Sequence, residues 1–286
     1  MTIDADIFSD KLYLRRVSVT LVNQSGGHDF EGLRIKFEVE KTNESQPNRA
    51  RISIYNLSEK SRSMFEDGGS RVILTAGYKD NFGVIFSGNI VKAKHKKKKG
   101  LQKGAVTTKY EGVDIITEIE AGDGDNKYRN SRLHRGFPAG TPIKDVLQEL
   151  SGAFDMPANI DEEAIPSLQY ANGYSVDGPC RYALDEICKT NGLEWSIQNE
   201  VLQIISKNKT TKIGAIVLNP TSGLIGSPTK MSKGVEFVSL LQPALSPGCA
   251  VKLESKFIEG TFKVRKVTHD GDSHEGDFVS KCEATL

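Results

Sequence analysis

The stretch from Ala50 to Ile90, ARISIYNLSEKSRSMFEDGGSRVILTAGYKDNFGVIFSGNI, constrains the fold more than any other part of the chain. Ile52, Ile54 and Leu57 are apolar, with Arg51 before the first and Ser53 between the first two, which is the period-2 signature of a strand with one buried face. Asn56 and Ser58 then offer helix-start chemistry, because a short polar side chain can accept from the free amides of a first turn. The pattern predicts a short helix over 59–66 that ends at Gly68-Gly69, then strands over 71–76 and 84–91 around the turn Tyr78-Lys79-Asp80-Asn81. A helix in that position can close one face or end of a curled sheet. Nothing in the unit carries catalytic chemistry.

The flanks extend the same grammar. Val17, Val19 and Leu21 alternate within Leu12 to Val22, a Gly-rich turn is predicted over Gln24 to Asp29, and Leu33, Ile35, Phe37 and Val39 alternate again. Thr42 to Asn48 is polar, holds Pro47 and reads as a loop; beyond the run KAKHKKKKG a long strand is predicted from Ala105 to Glu120. About six strands and one helix before Gly122 suit a small barrel or a strongly curled sheet. Glycine and aspartate cluster over Ala121 to Asn126, and beyond them the period changes. Thr141 to Phe154 reads as a helix with Thr at its cap, Pro at its first position, and Ile143, Val146, Leu147 and Leu150 on one stripe. Asp177 to Thr190 repeats this, with Tyr182, Ala183, Leu184, Ile187 and Cys188 inward, and a hairpin follows through Asn199-Glu200. Lys207 to Gly214 reads as a linker or exposed edge, and five strands are expected after it, over 215–218, 235–241, 250–255, 261–269 and 277–284. The expected division is 1–122, 123–206 and 207–286. The last segment is short for a barrel, so it must use tight loops or borrow an edge.

Composition narrows the class. Lys+Arg 38 against Asp+Glu 37 leaves a net charge of +1, so no global field favours nucleic acid or an anionic membrane. The start MTIDADIFSDK is acidic and lacks an apolar h-region, which argues against a secretory signal, and no apolar run is long enough to cross a bilayer. Cys180, Cys188, Cys249 and Cys282 are unpatterned and read as reduced thiols of a cytosol-made protein.

In order, "ISIYNLS", a short helix, "VILTAGY" and "IFSGNI" resemble the first barrel of baseplate hub proteins of contractile-tailed bacteriophages, a family that shares its barrel with tail-tube subunits. Further on, "GLIGSP", "GVEFVSLLQPALSPGCAVKLES" and "GTFKVRKVTHDGD" resemble the second barrel of the same families, including the late-control type. The middle resembles the compact insert of hub proteins and, at the level of fold analogy, secretin-type ring modules. The resemblance implies a mainly β (α+β) chain with two tail-tube-like β-barrel domains and a small α/β insert between them. It further implies a homotrimer that presents six quasi-equivalent barrels to a six-fold tail tube and a three-fold face to a spike. Partners would be the tube or tube-initiator protein, the spike and other baseplate proteins, in the virion tail, with DNA only as transient cargo and no cofactor.

The candidate chemistry is sparse. Lys96, Lys97, Lys98 and Lys99, with Lys92, Lys94 and His95 before them, could contact phosphates or an acidic partner; a solvated β-turn is the favoured reading, because basic runs without interleaved aromatics face water. Cys180 follows Pro179 at a helix start and, with His269 or His274, could mimic a Cys-His peptidase, but DGPCRYA matches no such signature and a small core thiol is favoured. The acidic clusters at Asp123-Gly124-Asp125-Asn126 and Asp270 to Asp277 fail the calcium-loop pattern and read as turns, and Ser227-Pro228-Thr229-Lys230 fits S-x-x-K only by common residues. No HExxH, Walker loop, GxSxG or CxxC occurs. The expectation is a non-enzymatic structural hub, with a tail-associated peptidoglycan hydrolase or a β-barrel binding module as the alternatives.

Overall fold

The computed structural model describes residues 14–24, 26–66, 70–99, 113–211 and 214–286. The cap expected at Gly68-Gly69 and residues 105–112 of the strand expected from Ala105 to Glu120 lie outside them. Among the described residues the chain is mainly β, and alternation of apolar and polar residues makes most of its strands. In β3 (Ile35–Thr42), Ile35, Phe37, Val39 and Lys41 are buried and the residues between them are exposed or half-exposed. The first part adds β1 (Arg15–Asn23), β2 (Gly26–Glu31), β4 (Arg49–Tyr55), β5 (Arg71–Tyr78), β6 (Asn81–Lys99) and β7 (Val113–Gly122). Its helix α1 (Glu59–Ser63) starts as the sequence indicates, the Ser58 hydroxyl accepting from the Ser61 amide at 3.1 Å. The turn expected over 24–29 is instead the entry into strand β2.

The middle part holds α2 (Asp125–Asn130), β8 (Arg132–Phe137), β9 (Thr141–Pro142), α3 (Ile143–Ala153), β10 (Ala158–Ile160), β11 (Gln169–Tyr170), β12 (Tyr174–Pro179), α4 (Cys180–Thr190), β13 (Leu193–Gln198) and β14 (Val201–Ser206). Both long helices begin one to three residues later than expected. The N-cap of α3 is Pro142, while the Thr141 hydroxyl donates to the Pro138 carbonyl; Asp177 to Pro179 belong to β12. Ile143, Val146, Leu147 and Leu150 are buried as the stripe requires, but Tyr182 is 60 % exposed and stands beside Arg181.

The last part holds β15 (Ile216–Leu218), β16 (Leu224–Met231), β17 (Gly234–Leu240), β18 (Ala250–Glu254), β19 (Glu259–Asp272) and β20 (Phe278–Thr285). The strand the sequence hides is β16, which carries Gly226 and Pro228. It is tolerated as a strand because it is an edge with a register break between Ile225 and Thr229.

One continuous sheet joins the first and last parts in the order β16-β17-β20-β19-β3-β4-β7-β6-β5-β1-β2, with β18 attached to β19 and β15 to β18. The link is β19. Its first half pairs with β18 over Glu259–Lys263 and its second half with β3 over Lys266–Asp272. The change of partner falls at a bulge, where the register against β20 skips Arg265. The borrowed edge therefore comes from within the chain. Two apolar clusters line the inner side of the sheet, one from Val17 to Ala121 with Leu241 and Phe278, the other from Ile216 to Ala284; a third fills the middle part. Phe278 of β20 reaches into the first cluster, edge-on to Phe37 at 5.9 Å and Tyr78 at 5.4 Å.

Candidate functional site: a charge-striped face and a polar junction

The lysine run is strand rather than turn. Lys92, Lys94, Lys96, Lys97, Lys98 and Lys99 all lie on β6, and β7 sets Glu120 opposite Lys92, Glu118 opposite Lys94, Ile116 opposite Lys96, Ile115 opposite Lys97, Asp114 opposite Lys98 and Val113 opposite Lys99. Carboxylates in register give the lysines a reason to stay extended, since opposite charges across an antiparallel pair attract. Lys96 reaches diagonally to Glu118 at 2.6 Å. The pattern continues across the sheet. Arg51 on β4 meets Glu38 on β3 at 3.7 Å, Lys266 on β19 meets Glu40 on β3 at 2.9 Å, Lys281 on β20 meets Asp270 on β19 at 3.2 Å, and Arg16 on β1 meets Glu31 on β2 at 2.6 Å. Acidic β3, basic β4, acidic β7 and basic β6 thus alternate on the face turned away from the apolar clusters, while β19 carries both signs. Each exposed pair adds little stability. Together they set carboxylates among the basic residues of that face.

Near this face, the three parts of the chain meet at buried polar groups. Asp123, fully buried just after β7, accepts from the backbone amides of Asn199 (2.7 Å) and Glu200 (2.6 Å) and from the Asn48 side-chain amide (3.2 Å). Asn199 and Glu200 form the β13–β14 turn, both with left-handed φ (54° and 63°), so their N–H groups point out of the hairpin into the carboxylate. Lys41, also buried, donates to the Asn199 side-chain oxygen at 3.0 Å. Burial raises the Asp123 carboxyl to about 6 against the opposing pull of Lys41 and these hydrogen bonds, and burial lowers Lys41 to about 8. Glu200 ties the turn to the sheet through Arg71 and through the Ser87 hydroxyl, which donates at 2.7 Å.

A second clasp centres on Glu194 of β13. It accepts from the Asn43 side chain (2.9 Å) on the first part, and from Lys263 and Arg265 (3.0 Å) on β19. Arg265 is the bulged residue, so the irregularity that hands β19 from β18 to β3 also aims a guanidinium at the middle part. A polar row separates the two apolar clusters on the inner side: Ser239, Ser280 and His269 stand opposite one another on β17, β20 and β19, all fully buried. His269 Nδ1 lies 2.9 Å from the Ser280 hydroxyl, which accepts the Gln242 amide at 3.0 Å. Burial foremost, then the charge of Lys41, lowers His269 to about 3, so it is neutral.

The sequence-nominated catalytic groups are not brought together. Cys180 is buried in the middle part's own cluster, where burial raises its thiol pKa; His269 lies in the sheet row, and His274 is exposed beside Ser273. Ser227 and Lys230 sit on the edge strand β16. Asp272 bonds Arg34 at 2.7 Å and the amide of His274 at 2.9 Å within the β19–β20 turn. No cluster of metal-ligating side chains occurs among the described residues, and none of their helices is long and apolar enough to cross a membrane. Sequence reasoning missed the junction. Its one legible signal was Lys41, which falls on the inward parity of Ile35, Phe37 and Val39.

Comparison with known proteins follows this geometry. The family model described as "Baseplate hub gp41" matches residues 16–284. Among solved structures, the chain is similar to the 43 kDa tail protein of prophage MuSo2 from Shewanella oneidensis (TM-score 0.63, 8 % identity, covering 95 % of this chain and 98 % of that one). It is also similar to the tail protein from Neisseria meningitidis MC58 (TM-score 0.60, 11 % identity, 96 % and 97 % covered). A third likeness is to a type VI secretion system component from E. coli, described as structurally similar to the T4 tail proteins gp27 and gp5 (TM-score 0.53, 12 % identity, 88 % and 73 % covered). At these identities the likenesses concern fold. A search of curated protein sequences finds no match.

Proposed function

Because the chain belongs to the baseplate hub gp41 family, we propose that it is the non-enzymatic hub of a contractile phage tail: a trimeric ring that adapts a six-fold tube to a three-fold spike and forms a conduit for DNA. The observation that carries the conduit is the charge-striped face. A wall that must pass DNA cannot offer long rows of unpaired cations, since many phosphate contacts bind tightly. Here Lys92, Lys94 and Lys98 of the longest basic run stand in register with carboxylates on β7. The buried clasps at Asp123 and Glu194 support the ring by holding the middle part in one place relative to the sheet. The strands β16 and β2 at the two ends of the sheet, each paired on one side only, are the edges that neighbours would cover. The division into 1–122, 123–206 and 207–286 belongs to this reading, with the first and last parts as the two tube-like barrels. In a virion tail its partners would be the tube or tube initiator, the spike and other baseplate proteins.

The test is native mass measurement with imaging of the purified chain and of tail particles that contain it. Three times the 31.4 kDa chain mass in a ring with a central hole is expected. A stable monomer at high concentration would make the ring dependent on tube or spike, and absence of the chain from purified tails would overturn the hub. A peptidoglycan gel should show no clearing; clearing that disappears in Cys180→Ala would favour a hydrolase instead.

A further inference from the structure

Lys41 and Lys263 are both buried at the junction, and they are satisfied to different degrees. Lys263 donates to Glu194, to the Ser206 carbonyl at 2.9 Å and to the Lys207 carbonyl at 3.2 Å, so its ammonium has a carboxylate and further acceptors. Lys41 is 2 % exposed and, among the described residues, has a single acceptor, the Asn199 side-chain oxygen at 3.0 Å. The charge of Asp123 acts on Lys41, but the Asp123 oxygens accept from Asn199, Glu200 and Asn48 instead. An ammonium carries three donors, and burying donors without partners is costly. An amine so placed gives up its proton readily, and burial lowers Lys41 to about 8.

The acceptor is also an electrophile. One C=O bond beyond its oxygen, the Asn199 amide carbon is at most about 4.2 Å from the Lys41 amine, and a turn about the Cβ–Cγ bond brings its face round. Both residues are held. The Gln198 side chain donates to the Thr42 carbonyl at 2.8 Å, the Asn48 side chain to the Ile197 carbonyl at 2.7 Å, and the Asn199 amide to Asp123 at 2.7 Å, so β3 and the β13–β14 turn cannot drift apart. Reactants fixed in contact behave as if at very high concentration. The Asn199 side-chain nitrogen makes no hydrogen bond among the described residues, and Asn199 is only half-buried, so that nitrogen is free to leave. We propose that Lys41 Nζ and Asn199 Cγ join in an isopeptide bond that staples the middle part to β3. The neutral amine attacks the amide carbon, and one of its two protons passes to the amide nitrogen. The bond from Cγ to that nitrogen breaks, and ammonia leaves. Nothing is oxidised or reduced. One neutral amide then replaces a buried cation, and the unpartnered donors are gone.

The test is peptide mass mapping. The full chain is purified folded, kept at pH 8, then denatured and digested with trypsin. A branched species is expected as the main form of both segments: residues 37–49, uncut after Lys41, joined to residues 190–207 and lighter than their sum by one ammonia. Lys41→Met should abolish it. So should Asn199→Gly, which removes the electrophile and suits the left-handed turn (φ 54°), so this variant keeps the fold even if the buried lysine cannot be replaced. Separate segments of full mass from the folded wild type, with cleavage after Lys41, would overturn the proposal. Ammonia lost from residues 190–207 alone would overturn it too, because that marks a cyclic imide at Asn199, as would a branched species that survives Asn199→Gly. The bond needs one chain only, so a chain that forms no ring leaves it standing, and its absence leaves the ring untouched.

Discussion

Asp123 and His269 are both buried ionisable groups in the sheet's seams, and they respond to pH in opposite senses. Burial holds the Asp123 carboxyl at about 6, above its ordinary 3.8, so the folded chain takes up this proton before the unfolded chain does. Its contribution to stability therefore rises as pH falls from about 6 towards 4. His269 is held down to about 3 from 6.5, so its contribution is complete above 6.5 and is lost as pH falls from there to 3. The slopes oppose each other between 6 and 4, and below that His269 acts alone. His269→Gln removes the acid-labile slope, so the gap in urea midpoint between wild type and variant should narrow from pH 7 to pH 4. A gap constant with pH would show that His269 takes up its proton in the fold as it does in the unfolded chain. At neutral pH, Asp123→Asn should cost about 3–5 kcal/mol, because the buried Lys41 loses the charge that holds its proton while the Asn199 and Glu200 amides lose an ionised acceptor. Lys41→Met in the same background should recover part of the loss, and urea unfolding of the four chains would give the coupling, about 1–3 kcal/mol if the two groups share one network.

Among the elements, β19 does the most. It supplies one ladder to β18, another to β3, the bulge that aims Arg265, and the closely packed Gly271. A side chain at Gly271 would stand 2.6 Å from the Phe37 ring and 2.7 Å from the Phe278 ring, and both rings are buried. Gly271→Ala should therefore destabilise by about 1–3 kcal/mol through overpacking, read as a fall in melting temperature; no change would mean that Phe37 has room to move. This strand also marks how far the sequence could be read. Val264, Val267 and the turn glycines made its existence legible, as the stripes of α3 and α4 made theirs, because those signals lie within one or two turns of chain. The exchange of partner from β18 to β3 was not legible: Lys266 and Thr42 are more than two hundred residues apart and carry no local mark of each other. The lysine run of β6 failed for a related reason. Read alone it is a solvated turn, and only the register with Glu120, Glu118 and Asp114 on β7 explains why it stays extended.

On the scale of the whole molecule, the β3–β19 ladder makes the first and last parts one folding problem. Without β3, the last part would expose seven residues of unpaired edge from Lys266 to Asp272, and Phe278 would lose Phe37 and Tyr78. A long unpaired edge with apolar neighbours templates aggregation. Without β19, the first part would expose the matching edge of β3, and Lys41 and Asn43 would remain held by the middle part alone. Residues 207–286 expressed alone should therefore aggregate, whereas 1–206 and 207–286 expressed together should assemble into a soluble complex of full-length mass. Joining two fragments costs association entropy, so the complex should unfold at lower urea than the intact chain and show a concentration-dependent midpoint. Size-exclusion chromatography with mass detection on the co-expressed pair decides it. A soluble, folded 207–286 fragment would mean that the last part closes its own edge, and that the continuous sheet is a docking contact between two finished units.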